Sequence, residues 1–463
     1  CKNSYFCEAA NNEIIYISKN LYTLICMIYL ISDIMNLRPL IITYIVLTHV
    51  IVHSVPAQPV YQDPAGTMRE TVTDPHIKTV QLYREGWPLS YPVIRLPADV
   101  PLVLEFDYLA KDITTFYYTL IHCDANWRQS NLFEQEYMEA YMENEIPAGE
   151  PSFNTYQSYM HHRLMLPNEE VKIRVSGNYL LVVYRNRDPQ DVVLTRRFMV
   201  TEAAVSIDAT ARIPVLSRYK GCCQEVDFTV DHTGVTIDDP FTETTAAIYQ
   251  NALWDLGITG LRPRMVRSPL LEYDYNEENI FQGGNEFRFF DTKNTQIPSY
   301  YVQRIDYIDP HFHFELKPDK PRPPHNYFSQ DDINGRYAIE SADGRDPELD
   351  ADYVFVHFQL DMPLPLEGNV FIAGALTNWQ FNELNRMEYL PEEGAYRKSL
   401  FLKQGVYNYR YLFLPTNAVQ FDIDAIEGSH SETENEYLIL FYHRPPGGRY
   451  DRLLGHQVTH SGH

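Results

Sequence analysis

The stretch LVLEFDY at Leu102–Tyr108 indicates how this chain folds, because its apolar residues recur at every second position. The even positions carry Leu, Leu, Phe and Tyr, whereas the two carboxylates, Glu105 and Asp107, stand at odd positions. Successive side chains of a β-strand point to opposite faces of its sheet. The stretch therefore predicts a half-buried strand, with its apolar face in a core and its carboxylates in solvent.

Short stretches of the same kind follow at spacings of about ten residues, with turn signals between them. They lie at 115–123, 171–175, 179–184 and 197–200. The aromatic content of 13%, with 35 Tyr and 23 Phe, also favours strands. We predict an all-β protein built from tandem immunoglobulin-like or early-set β-sandwich modules.

The order of these stretches predicts how the chain is divided, and its 463 residues suit several domains. The predicted bounds are 77–203 for a first β-sandwich, 204–317 for a second β module, 351–443 for a C-terminal early-set-like β-sandwich and 444–463 for a polar tail. Residues 317–326, KPDKPRPPHN, are basic and rich in Pro, which is typical of a stiff connector or an edge loop.

Residues 35–58 have the layout of a secretory signal peptide, with Arg38, an apolar run at 40–52 and small residues near Ala57. The apolar run is shorter than the ~20 residues that a membrane-spanning helix needs. We expect cleavage near Gln58 and no permanent membrane span afterwards. Because Met35 can start translation, residues 1–34 are expected to be upstream sequence read in frame; a two-segment membrane anchor is the alternative.

The formal net charge of −24 restricts the partners of the protein. Nucleic-acid binding needs clustered Lys and Arg at the phosphates, so no nucleic-acid partner is predicted. Simple attachment to anionic lipid is disfavoured for the same reason. An acidic exported protein of this kind stays soluble and is expected to bind neutral or basic surfaces.

Three cysteines follow the expected start of the exported chain: Cys123, Cys222 and Cys223. Adjacent cysteines rarely bond to each other, because the geometry is strained. One disulfide from Cys123 to either neighbour is compatible with the sequence, which does not decide the pairing.

No sequence motif of a common catalytic, nucleotide-binding or zinc centre occurs in the chain. Four clusters hold side chains that can react or bind a metal: His311 with His313, His161 with His162, Asp422 with Asp424 and Glu427, and His122 with Cys123 and Asp124. His311 and His313 would share one face of a strand, where a metal pair is conceivable, but a solvent-facing strand edge explains them more simply. Adjacent residues on a strand point apart, which argues against the two other clusters that contain histidine. The calcium-loop pattern is incomplete, so an acidic turn explains the carboxylates. We predict no catalytic residue, no cofactor and no metal site.

The C-terminal module resembles the early-set, glycogen-binding family of β-sandwiches. The resemblance rests on GALTNW at 374–379 and on GVYNYRYLF at 405–413. In sugar-binding members of that family, a Trp at the position of Trp379 stacks on glucose and a basic residue corresponds to Arg410. The second Trp of the family is absent from 415–419. Trp379 and Arg410 are therefore the candidate glycan-stacking residues of an alternative function, an exported carbohydrate-binding accessory protein.

A closer resemblance covers about residues 80–454 and concerns the type IX secretion system plug protein family. The motifs that carry it include GWPLSYPVIRL (86–96), HCDANW (122–127), SGNYLLVVY (176–184), GGNEFRFFDT (283–292) and EGSHSETENEY (427–437). The resemblance implies a soluble periplasmic protein at the inner face of the outer membrane. It implies a plug without catalytic activity that closes the periplasmic mouth of an outer-membrane β-barrel translocon.

Two motifs supply the residues expected at the contact with that barrel. The candidate contact residues are Trp127, Gly283, Gly284, Asn285, Phe287 and Arg288. A hydrophobic centre with a polar rim seals a surface without catalysis, which suits exposed aromatic loops. A third hypothesis, an exported hydrolase that lacks a common motif, predicts a deep pocket with paired carboxylates.

Overall fold

A computed structural model describes residues 59–112, 114–141, 143–322, 327–342, 346–418 and 420–462. The signal peptide expected at 35–58 and the segment 1–34 lie outside these residues. Val60–His463 form one compact unit. The helices of the described part are short: Glu134–Tyr137, Pro240–Glu243, Pro347–Asp350 and the 3₁₀ turns Ser217–Tyr219, Trp254–Leu256 and Ala375–Thr377. None of them is long and apolar enough to cross a membrane. The predicted all-β class of tandem β-sandwiches is confirmed.

The first β-sandwich has two sheets that enclose a core led by Phe106, Tyr118 and Leu181. Its strands are β1 (Thr71–Val72), β2 (Ile77–Arg84), β3 (Val93–Arg95), β4 (Leu102–Tyr108), β5 (Phe116–Cys123), β6 (Met138–Glu139), β7 (Asn144–Glu145), β8 (Glu150–Pro151), β9 (Met160–Leu166), β10 (Lys172–Ile173), β11 (Gly177–Arg185) and β12 (Val192–Thr201). One sheet has the order β2-β4-β9-β8 and the other β1-β12-β11-β5-β7, with β3 parallel to β12. The short strands β6 and β10 pair beside them.

The second β-sandwich begins with a sheet of order β13-β14-β18-β17, with β19 also paired to β14. The strands of this part are β13 (Ser206–Arg212), β14 (Cys223–Asp231), β15 (Thr244–Gln250), β16 (Ile258–Leu261), β17 (Met265–Arg267), β18 (Leu270–Tyr273) and β19 (Ile280–Gln282). Phe228 and Tyr273 stack in its core with ring centroids 4.3 Å apart.

The third β-sandwich encloses a second large core around Phe290, Phe358 and Tyr411. Its strands are β20 (Arg288–Asp291), β21 (Val302–Ile308), β22 (His311–Leu316), β23 (Tyr337–Ile339), β24 (Tyr353–Asp361), β25 (Gly368–Ala373), β26 (Glu388–Leu390), β27 (Ala395–Lys403) and β28 (Gly405–Pro415). One sheet has the order β21-β22-β24-β27-β26, with β22 parallel to β24. In the other, the long strand β28 pairs with β20 and β23 along its first half and with β25 along its second.

The last two strands, β29 (Glu436–His443) and β30 (Arg452–His460), return to the second sandwich and complete its other sheet, β16-β15-β29-β30. Strand pairing thus crosses the predicted module bounds twice, because β20–β22 join the third sandwich and β29 and β30 join the second. The predicted polar tail is also revised. Leu453 and Leu454 are fully buried, because β30 pairs with β29 and also packs against β13.

The first and second sandwiches stack face to face, which makes four layers of sheet. Leu180 and Met199, on the outer face of one sheet, share an apolar cluster with Tyr249, Leu440 and Leu453 of the second sandwich. The intervening sheet is therefore buried on both faces, and β12 is buried along its whole length. A strand buried on both faces has no solvent side, which explains the nearly continuous apolar run of β11.

The cysteines differ from the expectation. The sulfur atoms of Cys222 and Cys223 are bonded to each other, although adjacent cysteines were expected to stay unpaired. Cys123 is a free thiol, and burial raises its pKa well above the ordinary value. A bond from Cys123 to either neighbour is therefore not formed.

The buried position of β30 generates a stability prediction. Leu453→Ala is expected to lower the free energy of unfolding by about 2–5 kcal/mol, because it opens a cavity in a packed core. Gln457→Ala, in the same strand but exposed, is the control and should change stability little. Urea unfolding of both variants checks this. Equal stabilities would mean that β30 does not contribute to the core.

Candidate functional site

The carboxylate of Asp107 lies at the centre of the junction between the first and third sandwiches. It accepts hydrogen bonds from Lys403 Nζ at 2.8 Å, from the Tyr353 hydroxyl at 2.7 Å and from His161 Nδ1 at 2.8 Å. All four side chains are buried. We call these four residues the Asp107 junction.

The Asp107 junction corrects the first expectation drawn from the sequence. All seven residues of β4 are buried, although its carboxylates were expected in solvent. The alternation itself is real, since Leu104 and Phe106 do face the core of the first sandwich. The polar face is covered because the ends of β24 and β27 of the third sandwich pack on it.

Lys403 is the counter-ion that makes this burial tolerable. Its ammonium group lies 4.1 Å from the centre of the Tyr159 ring and also donates to the carbonyl of Glu348 at 2.6 Å. Burial lowers the pKa of Lys403 below its ordinary value, and the neighbouring Asp107 opposes that shift. A buried charge without such a partner is strongly destabilising.

Trp127, a predicted contact residue, lies between the first and second sandwiches and is only 2% exposed. Its indole Nε1 donates to the Tyr249 hydroxyl at 3.1 Å, and the Arg197 guanidinium stacks over its ring at 4.7 Å. The residue is therefore an internal joint of the stack. It is not available to a partner in this arrangement.

The predicted contact segment at 283–288 is buried as well. A side chain at Gly283 would overlap the carbonyl oxygen of His430, so the position needs glycine. Asn285 donates to the carbonyl of Glu427 at 2.8 Å. Arg288 binds the Glu427 carboxylate at 3.0 Å. Gly284 and Phe287 are buried too. The segment connects β19 of the second sandwich to β20 of the third and is fixed by these contacts, so it does not form an exposed loop.

The candidate glycan residues also take part in internal packing. The Arg410 guanidinium stacks over Phe287 at 4.8 Å and lies 5.8 Å from the Trp379 ring centre. Burial lowers the pKa of Arg410 to about 10. Trp379 is half-buried and packs edge-on against Phe287, with ring centroids 6.1 Å apart. The flat open platform that sugar stacking requires is therefore not formed by this pair.

The clusters singled out in the sequence are drawn into local contacts. His122 Nδ1 forms a hydrogen bond with Ser130 Oγ at 2.8 Å, and Nε2 donates to the Ser176 carbonyl at 3.1 Å. The ring therefore does not converge with Cys123. His313 stacks on His357, with Nδ1 and Nε2 2.8 Å apart. Glu427 is buried and bound by Arg288, whereas Asp422 and Asp424 are exposed.

An exposed aromatic surface was missed by the sequence analysis. Tyr156, Tyr307 and Phe312 form the aromatic cluster, with ring centroids 5.2 to 5.5 Å apart. Tyr156 is 54% and Tyr307 48% exposed. Tyr156 belongs to the loop after β8 and the other two to the β21–β22 hairpin, so the cluster spans two sandwiches. Its one sequence signal was Phe312, which stands between the two histidines considered for a metal.

The chain is similar to known proteins in both sequence and fold. Residues 77–202 match the family described as type 9 secretion system plug protein 1st domain. The chain is also similar to a hypothetical protein from Parabacteroides merdae ATCC 43184, whose crystal structure is known. The two are 35% identical with a TM-score of 0.81, over 85% of this chain and 99% of that one. No protein with a curated description matches.

The Asp107 junction generates the second prediction. Lys403→Met is expected to lower the free energy of unfolding by roughly 3–5 kcal/mol, because Asp107 is left buried without a counter-ion. The double variant Lys403→Met with Asp107→Asn should lose less than the sum of the two single variants. Urea unfolding measures all three. Arg449→Met, which breaks an exposed pair with Glu136, is the control. A Lys403 variant as stable as this control would contradict the prediction.

Two buried histidines generate a pH prediction. Desolvation lowers the pKa of both His122 and His162 to about 4. In the unfolded chain both histidines have the ordinary pKa near 6.5, so they bind protons there at a higher pH than in the folded protein. Their contribution to stability is therefore fully present above about pH 6.5 and is lost as the pH falls towards 4. At about pH 5, each histidine should lower the free energy of unfolding by roughly 2 kcal/mol relative to neutral pH.

The measurement for this prediction is urea unfolding at neutral pH and at about pH 5. Between the two conditions, the free energy of unfolding of His162→Gln should fall by roughly 2 kcal/mol less than that of the parent protein. His460→Gln, at an exposed position, should keep the full loss. An unchanged loss in His162→Gln would refute the assignment.

Proposed function

Because this chain belongs to the same family as the Parabacteroides merdae protein and matches the plug protein first domain over residues 77–202, we propose that it is a type IX secretion plug. The protein is a component of that secretion pathway, and its place is the cell envelope. In our proposal it occupies the periplasmic mouth of the outer-membrane β-barrel translocon and keeps that pore closed when no cargo passes. No bond is made or broken in this role.

The observation that carries the proposal is the first-domain match. It covers every strand of the first sandwich except β1, from β2 to β12. This sandwich holds the Asp107 junction on one side and the stack with the second sandwich on the other. A pore wide enough for folded cargo would leak solutes unless it were capped by a body of fixed shape. Three sandwiches held together by buried apolar and polar contacts meet that requirement.

The contact with the barrel is proposed to lie at the aromatic cluster. The candidate residues from the sequence are internal, whereas Tyr156 and Tyr307 present about half of their surface to solvent. A further exposed aromatic residue, Phe153 at 65%, lies in the same loop as Tyr156. Contiguous exposed apolar residues of this kind mark interaction sites. A contact of moderate size also permits release, which a plug requires.

Copurification from detergent-solubilised outer membranes tests the function and the surface separately. Tagged parent protein is expected to bring down the barrel. The double variant Tyr156→Ser with Tyr307→Ser should recover several-fold less barrel, because aromatic anchors dominate the energy of such interfaces. Its melting temperature should stay close to that of the parent, since both side chains are exposed.

The matched control is Tyr141→Ser, which removes another exposed tyrosine, 68% accessible, from the first sandwich. Its barrel recovery should equal that of the parent. If the parent itself brings down no barrel, the proposed function is wrong. If the double variant recovers as much barrel as the control, only the assignment of the surface is wrong.

A further inference from the structure

A small cavity of about 250 Å³ lies beside the Asp107 junction, between the first and third sandwiches. Glu105 of β4, His161 of β9 and Glu348 of the short helix Pro347–Asp350 all line it. One oxygen or nitrogen atom of each of these side chains lies within 4.8 Å of the others. The cavity thus brings two carboxylates and an imidazole from two sandwiches to one point.

Two of these atoms are buried without a hydrogen-bond partner. They are Glu105 Oε1 and His161 Nε2, and their residues are only 6% and 9% exposed. A buried polar atom without a partner is costly, so native structures rarely leave one unless an ion or ligand satisfies it. The cavity contains two such atoms within reach of the same carboxylate, that of Glu348.

The other nitrogen of His161 defines what the unpartnered one can do. Nδ1 lies 2.8 Å from the Asp107 carboxylate, which accepts a hydrogen bond from the Nδ1–H group, so the lone pair of a neutral ring is on Nε2. Asp107 is itself fixed by Lys403 and Tyr353. A carboxylate that orients a histidine in this way is the usual support of a metal-binding imidazole.

Glu105 is oriented for the same point. The Tyr83 hydroxyl donates to Glu105 Oε2 at 2.6 Å, which leaves Oε1 towards the cavity. Glu348 Oε2 lies 3.6 Å from His161 Nε2, so a cation at this point would lie between the two carboxylates.

Arg163 is the cation now closest to this point. Its Nη1 lies 3.4 Å from Glu105 Oε1 and 3.8 Å from Glu348 Oε2, which is longer than a normal hydrogen bond. The side chain is 42% exposed and also lies 3.9 Å from Glu85, so it can move outwards without losing every partner. Lys403, the other nearby cation, is already bound to Asp107 and to the Glu348 carbonyl.

We propose that Glu105, His161 and Glu348 bind one divalent transition-metal ion of the Zn²⁺ class, which ties the first sandwich to the third. The ligand set of one imidazole and two carboxylates suits Zn²⁺, with water from the cavity as the fourth ligand. The His161 Nε2 to Glu348 Oε2 distance of 3.6 Å is close to the separation of two ligands on one such ion. The imidazole disfavours Ca²⁺ and Mg²⁺, which take oxygen ligands. The site does not depend on the proposed secretion function.

Titration calorimetry of the untagged protein, stripped with EDTA and titrated with ZnCl₂, tests the site. Glu348→Gln and Glu105→Gln should each weaken Zn²⁺ binding at this site at least about tenfold, since even supporting residues have effects of that size. Zn²⁺ should also raise the melting temperature of the parent and lose this effect in both variants, because the ion binds only the folded state.

The matched control is Asp274→Asn. It belongs to the other acidic group that could hold an ion, with Glu225 and Asp227, but there Arg212 already contacts all three carboxylates. Its affinity for Zn²⁺ should equal that of the parent. The proposal is overturned if the parent shows no saturable Zn²⁺ binding, or if the Glu105 and Glu348 variants bind as tightly as this control. Equal binding would place the ion on surface histidines.

Discussion

The arrangement of the three sandwiches depends on the burial of one negative charge, that of Asp107. A carboxylate without solvent needs a fixed cation and fixed donors, and two of its three partners, Lys403 and Tyr353, come from a different sandwich. The first sandwich therefore cannot separate from the third without exposing a charged pair that is arranged only for the closed state. Such a pair contributes less to net stability than to the choice of one geometry, because both charges were desolvated to form it.

The second sandwich contacts the other two sandwiches in two different ways. Its contact with the first sandwich is an apolar face, in which Leu180 and Leu440 belong to one buried cluster. Its contact with the third includes an ion pair between Glu436 of β29 and Arg336, which directly precedes β23. Apolar faces tolerate small sliding, whereas directional polar joints do not. The combination gives a body of fixed shape, which the proposed role as a plug requires.

The strands and the core faces could be predicted from the sequence, because both depend on local alternation. Leu102–Tyr108 forms the expected strand, and its even positions point into the expected core. What covers the odd positions could not be predicted, since Lys403 lies 296 residues away from Asp107 along the chain. The same limit applies to the candidate site. Trp127 and the segment 283–288 have the composition of exposed recognition loops, and only their distant partners make them internal.

The prediction of a polar tail at the C-terminus was wrong for a related reason. The segment 444–463 is polar on average, but the position of Leu453 opposite β29 depends on a hairpin that average composition does not reveal. The prediction for Cys222 and Cys223 was wrong because adjacent cysteines only rarely form a disulfide, and this pair is one of the exceptions. For the C-terminal segment the local property was correct and the missing information was the three-dimensional partner, whereas the cysteine prediction was wrong about a local pair.

The internal junction and the exposed aromatic cluster are physically linked. The backbone amide of Tyr156 donates to the Asp352 carboxylate at 2.6 Å, and Asp352 directly precedes Tyr353 of the Asp107 junction. The amide of Phe153 donates to the carbonyl of Leu349 at 3.0 Å, in the helix that also carries Glu348. The loop that presents Tyr156 is therefore held by the third sandwich, although it belongs to the first. Because its ring meets Tyr307 and Phe312 only while that joint is closed, the surface proposed to contact the barrel exists only in the assembled body. A change that opened the joint would separate the cluster without touching any of its three rings.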